Sequence, residues 1–425
     1  MNKRKFYTSL LSLLLVLPLA GCAGKEERAW NKGQNALVQE NYSEAAASFD
    51  KAGSFRDAER LLKYAEASQN LENGDYTQAH AGFQALGDFK DSVMMCSYCE
   101  AREQETLMQE AFSSGDTDLV IHAGMEAYTR YYNLPLFRDC DTRAAECRDL
   151  LYTKASEWMN QGSYDAAAAG FAALGDWQDC AAMRQYCQAL SLEKQGSYTE
   201  AAALFTEISD VLDADARADA AYQHAYQIAS DLKNAGDYEA ALSAFAALGS
   251  YRDAAEQRDS STAALVRERL QAGSYADALE KLNRLSDLSV FPEVDPDTSG
   301  NMKLFLDSFC NVWLNAHAGV MNAFFSCNLL QPYLVPGGEL DTLIRTEITD
   351  DGAMLNYGYM YLGSEIKQLR QLDDGFTAAW MHGSASWGGA EGSTEHPADL
   401  LVLLDTTMGN PLAAAVLPLS TAGTG

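Results

Sequence analysis

Nine cysteines carry most of the chemical potential of this 425-residue chain, and their positions separate their uses. A thiol can be a nucleophile, an acyl acceptor, a metal ligand or half of a disulfide. Cys22 stands directly after the small residues Ala20 and Gly21, open to modification at an accessible backbone. Cys96-x-x-Cys99 has the spacing of a redox or metal pair, and Cys140, Cys147, Cys180, Cys187, Cys310 and Cys327 complete an even set. Cys140 and Cys147 lie seven apart on one helical pattern, so their Cα atoms stand ~10 Å apart, beyond disulfide reach. Cys99, Cys147 and Cys187 alternate with Ala65, Ala221 and Ser261 at one recurring position, which asks for a small side chain. Buried free thiols are therefore expected, with a bridge between repeats as the alternative. Cys96 falls inside a helical pattern, whereas a redox pair sits at the start of a helix after a strand.

The other candidates are fewer. Asp373-Asp374 could supply paired carboxylates, but Gly375 beside them marks a hairpin turn. Trp380, His382 and Trp387 are candidate ligand-binding residues; alternation in a strand puts Trp380 and His382 on one face and Trp387 on the other. No zinc-protease helix, phosphate loop or nucleophile elbow occurs, and the six histidines are scattered. The expectation is a non-enzymatic protein with no cofactor and no metal.

At the N-terminus, Lys3-Arg4-Lys5 precedes a mostly apolar run from Phe6 to Leu19, too short for the ~20 residues of a spanning helix. The order Leu19-Ala20-Gly21-Cys22 resembles the lipobox of bacterial lipoproteins. That resemblance implies a signal peptide over 1–21, lipid attachment at Cys22, a tether over 22–28, and an extracytoplasmic, membrane-anchored protein. Loss of residues 1–21 leaves 28 basic against 60 acidic side chains, a net charge of −32. Such a surface repels nucleic acid and anionic headgroups, so the lipid alone would hold the chain at a membrane.

Residues 29–287 are dominated by internal repeats. Tyr42, Tyr76, Tyr164, Tyr198, Tyr238 and Tyr275 each open a unit, with Ala three residues later and Phe, or Leu282 in the last unit, seven later. Offsets of 0, 3, 7 and 10 form one stripe of a helix. A preceding helix starts after an aromatic-basic-Asp signal, such as Phe55-Arg56-Asp57, whose Asp is expected to cap that helix. Gly74, Gly162, Gly196, Gly236 and Gly273 are expected to end these helices in left-handed turns. The order Gly-x-Tyr-x-x-Ala-x-x-x-Phe resembles the tetratricopeptide repeat; the unit after Gly115 departs from it, with Thr117, Val120 and Gly124 in the Tyr, Ala and Phe places. The resemblance implies stacked helical hairpins that bind a protein or peptide partner. Tyr226, Gln227 and Ser230 are the candidate partner-binding residues on its first-helix surface.

Residues 288–300, with Pro292, Pro296 and Gly300 among acidic side chains, read as a linker open to solvent. Met302 to Leu330 has helical aromatic spacing, and two hairpins follow: Ile366–Leu372 with Phe376–Trp387, and Asp399–Leu404 with Leu412–Leu417. A long helix before antiparallel strands resembles NTF2-like or cystatin-like domains, here over 301–421. The expected fold is multidomain, an all-α tetratricopeptide-like solenoid followed by a small α+β domain with its own core. The leading functional expectation is a scaffold for protein–protein interaction. The alternative is an extracytoplasmic receptor for a small molecule or glycan, using the α+β domain.

Overall fold

The computed structural model describes residues 24–285, 288–297, 301–317, 329–347, 360–389 and 392–419. The expected signal peptide and Cys22 lie outside them. The chain divides into two compact units, one of residues 1–197 with 203–215 and one of 198–202 with 216–425.

In the first unit consecutive helices pair antiparallel: α1 (Lys25–Val38), α2 (Tyr42–Ala52), α3 (Ala58–Glu72), α4 (Tyr76–Leu86), α5 (Ser92–Ser114), α6 (Thr117–Tyr132), α7 (Cys140–Asn160), α8 (Tyr164–Leu174) and α9 (Cys180–Gln195). α10 (Tyr198–Glu207) and α11 (Ala214–Asn234) follow along the chain. Because α1 already begins at Lys25, the expected tether over 22–28 is helical from its fourth residue.

The stripe read from sequence is the one that packs. Ala45, Ala79, Ala167, Ala201 and Ala241 are wholly buried, and Phe49, Phe83, Phe171, Phe205 and Phe245 are at most 1% exposed. The glycine turns form as expected: Gly74, Gly162, Gly196, Gly236 and Gly273 have φ between 76° and 85°. The next residue's N–H reaches back five residues to a carbonyl, as in Asp75 to Asn70, closing the helix end.

The capping expectation needs correcting. Asp57, Asp91, Asp139, Asp179 and Asp253 do precede the first residue of their helices, but none of their side chains caps it. Side-chain caps are made instead by the residue before the opening position in four units, where Asn41, Asp75, Asp116 and Asp237 accept from Glu44, Gln78, Leu119 and Ala240 N–H; Ser163, Ser197 and Ser274 at the same place make none.

The second unit carries α12 (Tyr238–Ala247), α13 (Ala254–Gln271) and α14 (Tyr275–Leu282), then α15 (Met302–His317), α16 (Glu339–Glu347) and strands β1 (Met360–Asp373), β2 (Phe376–Gly389), β3 (Gly392–Asp405) and β4 (Leu412–Leu419). The strands form an antiparallel meander in the order β1-β2-β3-β4. The β1–β2 turn falls at Asp374-Gly375, where Asp373 pairs with Phe376 and Gly375 has a φ of 86°. The expected helix over 302–330 is described to His317 and again at 329–330; residues 318–328 lie outside the described residues.

This sheet is covered on both faces. On one, α15 and α16 bring Leu306, Phe309 and Ile344 against Met381, Leu400 and Val402. On the other, α13 and α14 bring Val266, Leu270, Leu279 and Leu282 against Ala378, Leu401, Leu403 and Ala414. The final repeat is thus one layer of the α+β core, which is not closed without it. The stretch expected as an open linker also packs. Phe291 is 1% exposed, Val294 N–H donates to the Leu369 carbonyl, and Gln371 N–H donates to that of Pro292. Pro292 lacks only a donor it does not need here, so its carbonyl can still pair with the β1 edge.

Candidate functional site

Successive repeats meet at a joint built on a Tyr and an Asp. A Tyr of the first helix donates its hydroxyl to the Asp that precedes the next first helix: Tyr64 to Asp91 (2.6 Å), Tyr98 to Asp139 (2.7 Å), Tyr152 to Asp179 (2.9 Å), Tyr186 to Asp213, and Tyr226 to Asp253 (2.7 Å). Trp30 Nε1 does the same to Asp57 at 2.8 Å. In the regular units the Tyr ring meets the repeat's Phe edge-on, as Tyr64 with Phe83 at 5.5 Å between centroids, whereas Tyr98 meets Tyr131 at 6.0 Å. The residue before the Asp takes a left-handed φ near 50°, and where it is basic it lies over the Tyr: Lys90 over Tyr64 at 5.2 Å, Arg138 over Tyr98 at 5.2 Å, Arg252 over Tyr226 at 5.8 Å; Gln178 and Leu212 stand there in the joints of Tyr152 and Tyr186. Burial, then the Asp, pushes the phenols of Tyr64, Tyr98 and Tyr152 up, that of Tyr152 to about 12. Burial opposes ionisation of Asp139, but hydrogen bonds from Tyr98 and Arg143 outweigh it and hold the carboxyl below its usual range.

This series was missed in the sequence, although a signal was present. Trp30, Tyr64, Tyr152, Tyr186 and Tyr226 each stand 12 residues before an opening Tyr. The bonded pairs stay 27 residues apart whether the repeat is short or long, because α7 and α11 take up their extra length before the Tyr. The irregular unit breaks the rule. Glu105 stands 12 residues before Thr117, and it accepts from Tyr131 (2.6 Å) and Arg143 (3.0 Å), while Tyr98 reaches Asp139 over 41 residues.

The candidate partner-binding residues fall partly inside this framework. Tyr226 is a joint residue, with its hydroxyl on Asp253. Ser230 Oγ donates back to the Tyr226 carbonyl at 2.9 Å, and Gln227 donates to Asp231 at 2.9 Å from an exposed position. Of the three, Gln227 is the one turned outward.

In the α+β domain, His382 Nδ1 lies 2.6 Å from Asp399 Oδ1, and Glu365 pairs with His382 across the β1–β2 ladder. Trp380 is on the same face, turned toward α14, and its buried Nε1 has no hydrogen-bond partner. Its cross-strand neighbour Gln368 likewise has a buried, unpartnered Oε1. Trp387 lies in β2, paired with Thr394; its side chain is outside the described residues. The structure therefore brings Trp380, His382, Asp399 and Gln368 together. Asp373 and Asp374 form the hairpin turn, with Asp373 Oδ1 accepting from Asp374 N–H.

Cys96, Cys99, Cys140, Cys147, Cys180, Cys187 and Cys310 are unpaired, and Cys22 and Cys327 lie outside the described residues. Burial pushes the Cys99, Cys147 and Cys187 thiols up to about 12, so they are poor nucleophiles. Among the described residues no group of three or more His, Cys, Asp or Glu could hold a metal ion, and no helix is long and apolar enough to cross a membrane. Compared with known proteins, the chain matches no family model, and no curated protein is significantly similar to it.

Proposed function

We propose that this chain is a lipid-anchored extracytoplasmic protein whose helical repeats hold a protein or peptide partner, without catalysis. One observation carries the reading. Within each unit the Tyr–Asp joints use the polar groups between repeats on one another, which leaves the exposed side chains of the repeats as the surface for recognition. The acidic surface favours a basic partner. Attachment would be at Cys22, and with α1 starting at Lys25 the first repeat would stand close to the membrane.

The test uses the full chain in its own cell, with a photo-crosslinking residue at Gln227 on α11 or at the exposed Lys367 on β1. A discrete adduct from position 227 that is absent from 367 is the expected result. Adducts from 367 alone would move recognition to the α+β domain. Labelled fatty acid still entering a Cys22→Ser variant would remove the anchor from the proposal.

A further inference from the structure

We propose that the joint of Tyr152 and Asp179 is a seat for a lysine or arginine side chain of the polypeptide held by the repeats. The inference rests on that reading of the repeats and names the chemistry of one contact.

The other joints show what the seat takes. Arg56 lies over Trp30 at 4.8 Å, Lys90 over Tyr64 at 5.2 Å, Arg138 over Tyr98 at 5.2 Å and Arg252 over Tyr226 at 5.8 Å. Each cation comes from the residue before the joint's Asp and is drawn to the ring's quadrupole. At Tyr152 that residue is Gln178, left-handed like the others with a φ of 50°, exposed and uncharged. Among the described residues no cation lies over this phenol, which is only half-buried. Its surroundings are otherwise those of Tyr64. Phe171 and Trp177 meet it at 5.5 and 5.6 Å, as Phe83 and Phe89 meet Tyr64 at 5.5 and 6.4 Å.

The carboxylate is short of a partner too. Asp139 Oδ2 accepts from Arg143 Nε at 2.7 Å and Asp253 Oδ2 from Gln257 Nε2 at 3.0 Å, both donors standing four residues on. Four residues after Asp179 is Met183, which has no side-chain N–H to offer. Among the described side chains only Tyr152 donates to Asp179. Asp176 and Asp179 are exposed on either side of Trp177-Gln178, so a cation arriving there meets negative charge. Arg148 does not take the place. It lies over Trp177 at 4.3 Å, just as Arg60 lies over Phe89 at 4.2 Å in the joint where Lys90 still covers Tyr64. Leu212 stands at the same position in the joint of Tyr186, but there the ring is buried.

The peptide acetyl-Gly-Arg-Gly-amide is the probe, and the same peptide with citrulline its neutral match in shape. The chain from residue 23, which keeps every described residue, carries ¹³C-labelled tyrosine rings, and the Tyr152 signals are identified by their loss in Tyr152→Phe. The arginine peptide should move those signals saturably, and the citrulline peptide should bind about threefold more weakly. Gln178→Lys supplies the cation from within, as Lys90 does at a like backbone angle, and should weaken the arginine peptide about threefold at Tyr152. Gln188→Lys, an equal charge at an exposed position on α9, should leave that affinity unchanged. Tyr152 signals unmoved by the arginine peptide, equal affinity for the two peptides, or equal losses in the two lysine variants overturns the proposal. Should Gln178→Lys fail to fold, the peptide pair decides on the parent chain alone. Failure here leaves the adduct expected from position 227 as it was, so the seat and the scaffold fall separately.

Discussion

The joint between α4 and α5 and the joint between α14 and the sheet close the same kind of helical hairpin in different ways. At the first, Tyr64, Phe83 and Asp91 repeat a scheme found along the stack, and the bonded residues lie 27 apart in sequence. At the second, leucines and valines of α13 and α14 meet Leu401, Leu403 and Ala414, and Arg267 Nε reaches the Leu372 carbonyl across 105 residues at 3.0 Å. Glu339 of α16 even accepts the Ala276 N–H at the start of α14, at 3.0 Å. The difference teaches that a repeat's exposed stripe specifies an apolar complement and not another repeat. A sheet of suitable width serves, at the cost of non-local contacts that form late in folding.

The strongest way to break this comparison is to end the chain after residue 287. Val266, Leu270, Leu279 and Leu282 would lose their cover, each worth about 1.5–3 kcal/mol when buried. Amide exchange should then show α13 and α14 unprotected while α3 and α4 keep their protection. Protection of α14 in that fragment would mean that the sheet is not its partner.

Next in size are Phe83→Ala and Leu282→Ala, both at the seventh offset, each expected to cost about 2–5 kcal/mol. Chemical denaturation followed by domain-specific probes should show the first loosening the repeats alone and the second loosening the sheet as well. Identical responses would erase the distinction between the two joints.

Tyr152→Phe should cost ~1 kcal/mol through loss of the bond to Asp179. The same phenol provides a pH test. Its pKa is raised by burial and Asp179 from ~10 in the unfolded chain to about 12, so the neutral form is favoured in the fold. That contribution is complete below pH ~10 and is lost as pH rises toward 12. Melting temperatures across this range should fall less steeply in Tyr152→Phe than in the parent, and parallel curves would rule the phenol out.

The smallest effect is expected for Asp165→Ala. The residue is exposed, and although Ser191 Oγ donates to it at 2.7 Å, Gln195 also bonds that hydroxyl. A cost within ~0.5 kcal/mol is expected by thermal melting. A larger loss would place Asp165 among the joint residues.

The sequence by itself determined what depends on near neighbours: the helical stripe from Ala45 to Ala278, the glycine-closed helix ends, and the turn at Asp374-Gly375. These follow from periodicity and backbone sterics, which act over a few residues. The small-residue reading of Cys99, Cys147 and Cys187 was legible too, because repetition set them beside Ala and Ser. Only the tertiary structure decided what each apolar face and each polar group meets. Asp91 stands where a cap is expected, yet its carboxylate serves Tyr64 of the preceding repeat, because the stacked ring brings a stronger donor within 2.6 Å. Residues 288–294 have the composition of a linker, yet they cover the β1 edge, whose free N–H and C=O groups need partners. Trp380 likewise looked in sequence like one of a loose aromatic set; its buried, unpartnered indole exists only where α14 closes over the sheet. A period records which side of an element is apolar, but the surface that covers it is set by chain segments far away in sequence.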